Sequence, residues 1–154
     1  MATHKIMLWC AYQERSQHDT RTKLFDFGLN PEEVESILAT LIAENYVNEE
    51  RFALAFASGK FRIKHWGRIK IKLELKKHKV SDYCLRKALA SIPDEEYTAT
   101  IRNILEKKSK SAKKGDPRKT YYALLNYCVS RGFEPDLVRE VLNEKINTNF
   151  TELE

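Results

Sequence analysis

The chain carries a threefold internal repeat, and this repeat restricts its fold more than any other feature. Three stretches, each about fifty positions after the last, show the same order of apolar, turn and apolar residues. The matched positions are Leu24, Leu75 and Cys128, then Gly28, Lys79 and Gly132, then Val34, Leu85 and Val138. Repeats of this length are typical of stacked supersecondary units, each of which buries its apolar face against the next.

Each repeat has the pattern of three helices. The third helix of the first repeat is the clearest, because Asn30 can cap it and Pro31 suits its first position. The expected helices cover residues 6–15, 16–27 and a helix from 31, then 49–64, 68–78 and a helix from 82, then 94–110, 118–129 and a helix from 135. We predict an all-α protein, an elongated stack of three tandem three-helix repeats at residues 1–47, 48–92 and 93–146, with a frayed polar tail at 147–154.

One of these helices has an ambiguous pattern. Ile69, Ile71, Leu73 and Leu75 alternate with polar residues, which is typical of a half-buried strand. The matching segments of the other repeats have helical patterns, and Lys, Glu and Leu favour helix. A strand would also need partners, and no other segment alternates in this way. We therefore predict a helix here.

The residue that follows each second helix is expected to adopt a left-handed conformation. Gly28 and Gly132 suit that position, because glycine has no Cβ to clash. Lys79 stands at the same position of the second repeat, where its backbone is strained unless the turn differs. Further along, residues 107–119 are rich in lysine and poor in apolar residues, so a mobile helix end and loop are predicted there.

Positive charge is concentrated in the middle of the chain. From Lys60 to Lys87 there are eleven Lys and Arg residues against Glu74 and Asp82, whereas the whole chain has a net charge of +5. The remainder is therefore net negative. A focused positive field attracts polyanions or acidic protein surfaces, although a basic run can also be no more than a solvated helix face.

The candidate contact residues lie within this basic run. They are Lys60, Arg62, Lys64, Trp66, Arg68, Lys70, Lys72, Lys76 and Lys77. Trp66 could be an aromatic anchor for a partner, or it could pack in the core against Phe61 or Ile69. Glu50 and Arg51 are expected to be structural and to pair between adjacent repeats.

The sequence contains none of the catalytic motifs considered. The four histidines show no H-E-x-x-H spacing, and no glycine-rich phosphate loop occurs. The three cysteines are odd in number and far apart, which indicates buried or half-buried free thiols in a reducing compartment. We predict no enzyme, no catalytic residue, no metal site and no cofactor. Because no signal segment or long apolar run is present, we expect a soluble, cytoplasmic protein without membrane contact.

Three motifs, NEERFA at 48–53, KHWGRIKIKLEL at 64–75 and RGF at 131–133, resemble those of the RecX regulatory proteins, the modulators of the recombinase RecA. NEERFA at 48–53 is similar to that family's D-D-E-R-F-A, and KHWGRIKIKLEL at 64–75 is similar to K-x-x-[WY]-G-x-x-[KR]-I-x-x-E-L. RGF at 131–133 matches the closing motif. The chain departs from the pattern at Asn48, at Lys79-Val80 in place of G-I, and in the first repeat, where 19–24 lacks the R-E-L core.

The resemblance implies a non-enzymatic inhibitor. A RecX protein would lie in the groove of the RecA filament on DNA and lower its ATPase, strand-exchange and coprotease activities, and so modulate DNA repair, recombination and the SOS response. The implied partner is the RecA filament, with weak or indirect contact to single-stranded DNA, and the implied state is a monomer. The basic run would face the filament groove.

Two other functions remain open from the residues alone. A three-helix unit could bind nucleic acid through phosphates without any recombinase partner, since no base-reading set of side chains is evident. A helical-repeat scaffold for some other protein is the third possibility.

Overall fold

The computed structural model describes the backbone of residues 1–111 and 115–152 and the side chains through residue 146. Within these ranges the chain forms nine α-helices and no strand, so the predicted all-α class is confirmed. The helices are α1 (Ala2–Tyr12), α2 (Gln17–Asp26), α3 (Pro31–Ala43), α4 (Glu49–Arg62), α5 (Arg68–Lys77), α6 (Asp82–Ala90), α7 (Asp94–Ser111), α8 (Pro117–Ser130) and α9 (Pro135–Glu152). No helix in these ranges combines the length and apolar character needed to cross a membrane.

The first helix begins four residues before its predicted range of 6–15 and ends three residues before the end of that range. It begins at Ala2 and ends at Tyr12, because Gln13 is extended, with φ −158° and ψ 166°. The side chain of Arg15 folds back, donates through Nε to the carbonyl of Trp9 at 3.1 Å and stacks on the Trp9 ring. Ser16 is extended as well, since it caps α2 by accepting a hydrogen bond from the Asp19 N–H.

The start of α3 has the predicted cap. The Asn30 side chain accepts a hydrogen bond from the Glu33 N–H at 2.9 Å, and the Glu33 carboxylate accepts one from the Asn30 N–H at 3.2 Å. Pro31 occupies the first helical position. This reciprocal capping satisfies two backbone donors that the first turn of a helix leaves without partners.

The alternating segment is a helix, α5, as predicted. Ile71 and Leu75 are fully buried, whereas Ile69 and Leu73 are 43% and 57% exposed. Residues four apart share a face of a helix, so only half of the alternating apolar residues reach the interior. The alternation therefore reflects one buried and one exposed apolar pair, and not the two faces of a strand.

The three predicted left-handed turns are present. Gly28 has φ 85° and Gly132 has φ 96°, and Lys79 adopts the same conformation, with φ 60°, although it carries a side chain. The turn of the second repeat therefore does not differ to relieve Lys79. Asn45 and His65 also have positive φ, at 66° and 56°, which the sequence did not indicate.

The described residues pack as two compact units. The first comprises residues 1–59 and 72–91, and one of its buried clusters is formed by α1, α2, α3 and the turn that follows them. The members of this cluster are Ile6, Cys10, Leu24, Val34, Leu38, Leu41 and Val47. Met7, Trp9 and Leu29 pack against it from the side. The predicted repeat boundaries at residues 47, 92 and 146 stay a prediction.

The second unit comprises residues 60–71 and 92–154. Its interior contains three aromatic rings in series: Phe61 lies 5.7 Å from Tyr97, and Tyr97 lies 5.2 Å from Phe133 between ring centroids. All three rings are buried. Aromatic pairs at these distances add packing energy beyond the area that they bury.

Part of the predicted loop at 107–119 is helical. The helix α7 continues to Ser111, and α8 begins at Pro117 after the Asp116 cap. Residues 112–114 of the loop and residues 153–154 of the predicted tail lie outside the described residues. The helix α9 runs to Glu152, over most of the segment for which a frayed tail is predicted.

Candidate functional site

The turn from α4 to α5 carries the candidate Trp66 in the second compact unit. The Trp66 N–H donates to the carbonyl of Lys60 at 3.0 Å, and His65 takes the left-handed conformation that closes this turn. The Trp66 ring is half-buried. The ammonium groups of Lys60 and Lys70 lie over it, 4.8 Å and 4.4 Å from its centroid. An aromatic ring attracts cations over its face, so Trp66 gathers two candidate lysines around itself.

Gly67 allows the start of α5 to meet the turn after α8. The Gly67 N–H donates to the carbonyl of Arg131 at 2.8 Å, and the Ile69 N–H donates to the carbonyl of Gly132 at 3.0 Å. A Cβ atom on Gly67 would lie 2.2 Å from the carbonyl carbon of Gly132, which is closer than any real contact. The carbonyls of this turn thus satisfy donors that the first turn of α5 leaves free.

Arg131 strengthens the same junction from its side chain. Its guanidinium donates through Nη2 to the carbonyl of Lys64 and through Nε to the carbonyl of His65 at 3.4 Å. Two of the motifs noted in the sequence, the W-G pair and the R-G-F triplet, are therefore in direct contact within one unit. Their role in the structure is to join the α4–α5 turn to the α8–α9 turn.

Arg68 is held by the protein itself. Its Nη2 atom donates to the carbonyl of Ile92 at 2.8 Å and to the carboxylate of Asp94 at 2.9 Å, and its guanidinium stacks on the Tyr97 ring at 4.2 Å. Only 24% of the side chain is exposed. Its charge is largely satisfied internally, although the sequence groups it with the candidate contact cations.

Tyr97 extends this network into the interior. Its hydroxyl accepts a hydrogen bond from the Arg68 N–H at 3.0 Å and donates one to the Glu134 carboxylate at 2.8 Å. Burial raises the pKa of this phenol well above its ordinary value. Tyr97 therefore stays neutral at physiological pH and acts as a hydrogen-bonding bridge from α5 to the start of α9.

Arg62 also has a partner in the second unit. Its Nε and Nη2 atoms contact the two carboxylate oxygens of Glu96 at 3.1 Å and 3.2 Å. Both side chains are nearly half exposed, so this two-point pair contributes little to folding. It nevertheless neutralises one of the candidate charges at the surface.

The other candidate cations are more accessible. Lys64 is exposed in the second unit, and Lys72, Lys76 and Lys77 are exposed in the first. Lys77 pairs with Glu74 at 3.0 Å. Among the described residues, the ammonium groups of Lys64, Lys72 and Lys76 have no carboxylate within ion-pair distance. These three lysines present the least compensated positive charge of the eight candidate cations.

The expected structural role of Arg51 is confirmed in the first unit. Its Nε atom pairs with Glu14 at 2.5 Å, and its other donors bind the side chain and the carbonyl of Asn45. Glu50 departs from the expectation, because it pairs with Lys87 of the same predicted repeat at 2.7 Å. Glu50 and Lys87 are 37 positions apart in the sequence, so no local sequence pattern predicts that they pair.

The three cysteine side chains are buried away from solvent. Cys10, Cys84 and Cys128 are buried free thiols, as predicted. Burial raises the pKa of Cys128 to about 11 and raises that of Cys10 as well. At neutral pH both groups are protonated and poorly nucleophilic. In the ranges that the structure describes, no group of three or more His, Cys, Asp or Glu residues could hold a metal ion.

The sequence alone did not identify the residues that bind Arg62 and Arg68 and so distinguish these two arginines from the accessible lysines of the basic run. Glu96, Asp94 and Tyr97 are those partners, and all three lie about thirty positions beyond the arginines that they bind. An acidic cluster at the start of α7, DEE at 94–96, is the one signal that could have indicated them. Acidic residues in the first turn of a helix are also expected from the helix dipole alone, so this cluster does not indicate particular partners.

Two family models match this chain. The model described as RecX, second three-helix domain, matches residues 48–89, and the model described as RecX, third three-helix domain, matches residues 94–142. Together they cover more than half of the chain. The three motifs discussed above all fall within the matched residues.

Curated relatives and solved structures carry the same family name. "Regulatory protein RecX" of Prosthecochloris aestuarii is 28% identical over 143 residues, which are 93% of this chain and 92% of that protein. Its namesake from Geobacillus kaustophilus is 25% identical over 141 residues, and the chain spans only 52% of its length. The crystal structure of RecX from Lactobacillus salivarius has a TM-score of 0.86 at 19% identity, with 93% of each chain covered. This last likeness shows a shared fold.

Proposed function

Because the chain belongs to the RecX family, we propose that it binds the filament of the recombinase RecA on DNA and inhibits its ATPase, strand-exchange and coprotease activities. The protein would thereby modulate DNA repair and recombination in the cytoplasm, as a monomer and without catalysis of its own. The observation that carries the proposal is the match of two successive RecX domain models, to residues 48–89 and 94–142.

Six lysines are proposed to contact the filament. In the second unit these are the exposed Lys64 and the half-buried Lys60 and Lys70 around Trp66; in the first unit they are the exposed Lys72, Lys76 and Lys77. Arg62 and Arg68 have a weaker claim, because Glu96 and Asp94 already engage them. An acidic filament surface, or the phosphates of its DNA, would be attracted by the exposed ammonium groups.

The test is the RecA ATPase on single-stranded DNA with substoichiometric amounts of this protein. We expect inhibition by the natural chain and at least about tenfold weaker inhibition by Lys64→Glu/Lys72→Glu, because close charge pairs at interfaces contribute one or more kcal/mol each. Both lysines are exposed, so the circular dichroism spectrum and the unfolding midpoint should hardly change.

The matched control reverses two exposed cations outside the candidate set. Lys5→Glu/Arg139→Glu changes the net charge by the same amount, lies outside the basic run and should inhibit the ATPase nearly as well as the natural chain. Full inhibition by Lys64→Glu/Lys72→Glu would remove these lysines from the contact. Absence of inhibition by the natural chain, with retention of DNA alone in a pull-down that nuclease abolishes, would favour the nucleic-acid-binding alternative.

A further inference from the structure

The second compact unit contains a half-open cavity of about 320 Å³ that the proposed filament contact does not use. One face of α7 forms its longest wall, with Thr100, Ile104 and Lys108 at successive helical turns. Tyr127 of α8 and Arg131 of the following turn close the opposite side. Its volume lies at the lower end of the range for small-molecule sites, which start at about 300 Å³.

Positive charge dominates this cavity. Lys107, Lys108 and Arg131 contribute three cations, and none of the described residues that line it is acidic. Arg131 is fixed in place, because its guanidinium donates to the carbonyls of Lys64 and His65. Those carbonyls carry no net charge, so the guanidinium charge stays available to an anion. Lys107 and Lys108 are exposed and can turn toward such a group.

A flat aromatic surface lies beside these cations. The Tyr127 ring is half-buried, the ammonium of Lys108 lies 4.3 Å from its centroid, and the guanidinium of Arg131 lies 5.8 Å from it. Ile104 adds apolar surface, and the exposed amide of Asn103 adds a hydrogen-bond donor and acceptor. A plain inorganic anion would use the cations but would leave the ring, the apolar wall and the amide without a function.

We propose that this cavity binds a nucleotide unit, with its phosphate against Lys107, Lys108 and Arg131 and its base against Tyr127. A phosphate attracts the Lys108 ammonium away from the ring, and the exposed ring face then accepts a base. This combination of basic groups and a stacking platform is the usual composition of single-strand nucleic-acid sites. The nucleotide is either free or one unit of a strand, since both present the same phosphate and base.

The test measures fluorescence anisotropy of a short labelled oligothymidylate with the full chain and without any recombinase, so its outcome is independent of the proposed function. Lys107→Gln/Lys108→Gln should lower the slope of log affinity against log salt concentration by up to about 0.7, because these lysines share one phosphate and a single strand loses about 0.7 per lost phosphate contact. Lys5→Gln/Arg139→Gln removes the same charge outside the cavity and the basic run and should leave the slope nearly unchanged.

A second pair of variants tests the base contact. Tyr127→Leu should weaken oligothymidylate binding about fivefold or more, while Tyr127→Phe, which keeps the ring, should bind like the natural chain. An abasic strand of the same length should bind Tyr127→Leu and the natural chain equally. If Tyr127→Leu is destabilised, the difference in affinity of the natural chain for thymidine and abasic strands still reports contact with the base.

The source of the nucleotide follows from competition. The two competitors are dTMP and the unlabelled oligonucleotide, compared at the same concentration of nucleotide units. If dTMP displaces the labelled strand as well as the oligonucleotide does, the ligand is a free nucleotide. If the oligonucleotide displaces it and dTMP does not, the ligand is a strand. The proposal is overturned if Lys107→Gln/Lys108→Gln and its control lose the same affinity and slope, or if abasic and thymidine strands bind the natural chain equally.

Discussion

The turn after α2 and the turn after α8 occupy the same place in the repeat, and each contains a glycine with positive φ. Gly28 is exposed, and a Cβ atom built on it would meet nothing within 4 Å. Gly132 is buried, and its Cβ would lie 2.3 Å from the Cβ of Lys70 and 2.7 Å from its backbone nitrogen. One sequence signal thus serves two physical demands: backbone conformation alone at Gly28, and conformation plus close approach at Gly132.

The turn after α5 isolates the first of these demands. Lys79 has φ 60°, and the Val80 N–H donates to the carbonyl of Leu75 at 3.3 Å. The turn after α8 has the same bond, from the Phe133 N–H to the carbonyl of Cys128 at 3.2 Å. A helix-ending turn of this kind therefore forms without glycine, at the cost of strain in a residue with a Cβ atom.

Gly132→Ala should have the largest effect on stability. The left-handed conformation costs an alanine about 1–2 kcal/mol, and the clash with α5 adds an overpacking cost of about 1–3 kcal/mol. We expect a loss of about 3 kcal/mol in the free energy of unfolding. Urea unfolding in a Trp9→Phe background measures it, because Trp66, the other tryptophan, then reports on the second unit.

The control for this variant is Ser130→Ala, at the exposed end of α8 beside the same turn. The Ser130 hydroxyl is exposed and donates to the carbonyl of Tyr127 in its own helix, so we expect a change within about 0.5 kcal/mol. A loss at Gly132→Ala no greater than that at Gly28→Ala would show that the contact with α5 adds nothing to the conformational cost.

The repeat in the sequence predicted the conformation of these turns but not their surroundings. Gly28, Lys79 and Gly132 each follow a buried residue, Leu24, Leu75 or Cys128, by four positions. This spacing is local, so the helical pattern of the sequence is enough to predict it. The approach of Gly132 to Gly67 joins residues far apart in the chain, and no periodic signal encodes that pairing. For the same reason the basic run predicted where charge is dense, whereas the engagement of Arg62 and Arg68 depends on Glu96, Tyr97 and Asp94.

Gly28→Ala should have an intermediate effect. Only the left-handed conformation is penalised, so we expect a loss of about 1 kcal/mol, read from Trp9 fluorescence in a Trp66→Phe background. Gly59→Ala in α4 is the matched control, because Gly59 has an ordinary helical backbone with open space around it. Alanine should stabilise that helix by about 0.5–1 kcal/mol, so the two glycine-to-alanine changes should have opposite signs.

Lys79→Gly should have the smallest effect and should raise stability. Glycine removes the strain of about 1–2 kcal/mol at φ 60°, but it also increases the conformational entropy of the unfolded chain, which returns about 0.5–1 kcal/mol. The net gain therefore lies between about 0 and about 1.5 kcal/mol, with a midpoint of about 0.7 kcal/mol. Lys79→Ala keeps the strain and should change little, so a gain in the glycine variant alone assigns the difference to backbone conformation. Equal stability of the two variants would mean that the Lys79 turn is unstrained, and the contrast between Gly28 and Gly132 would then rest on close approach alone.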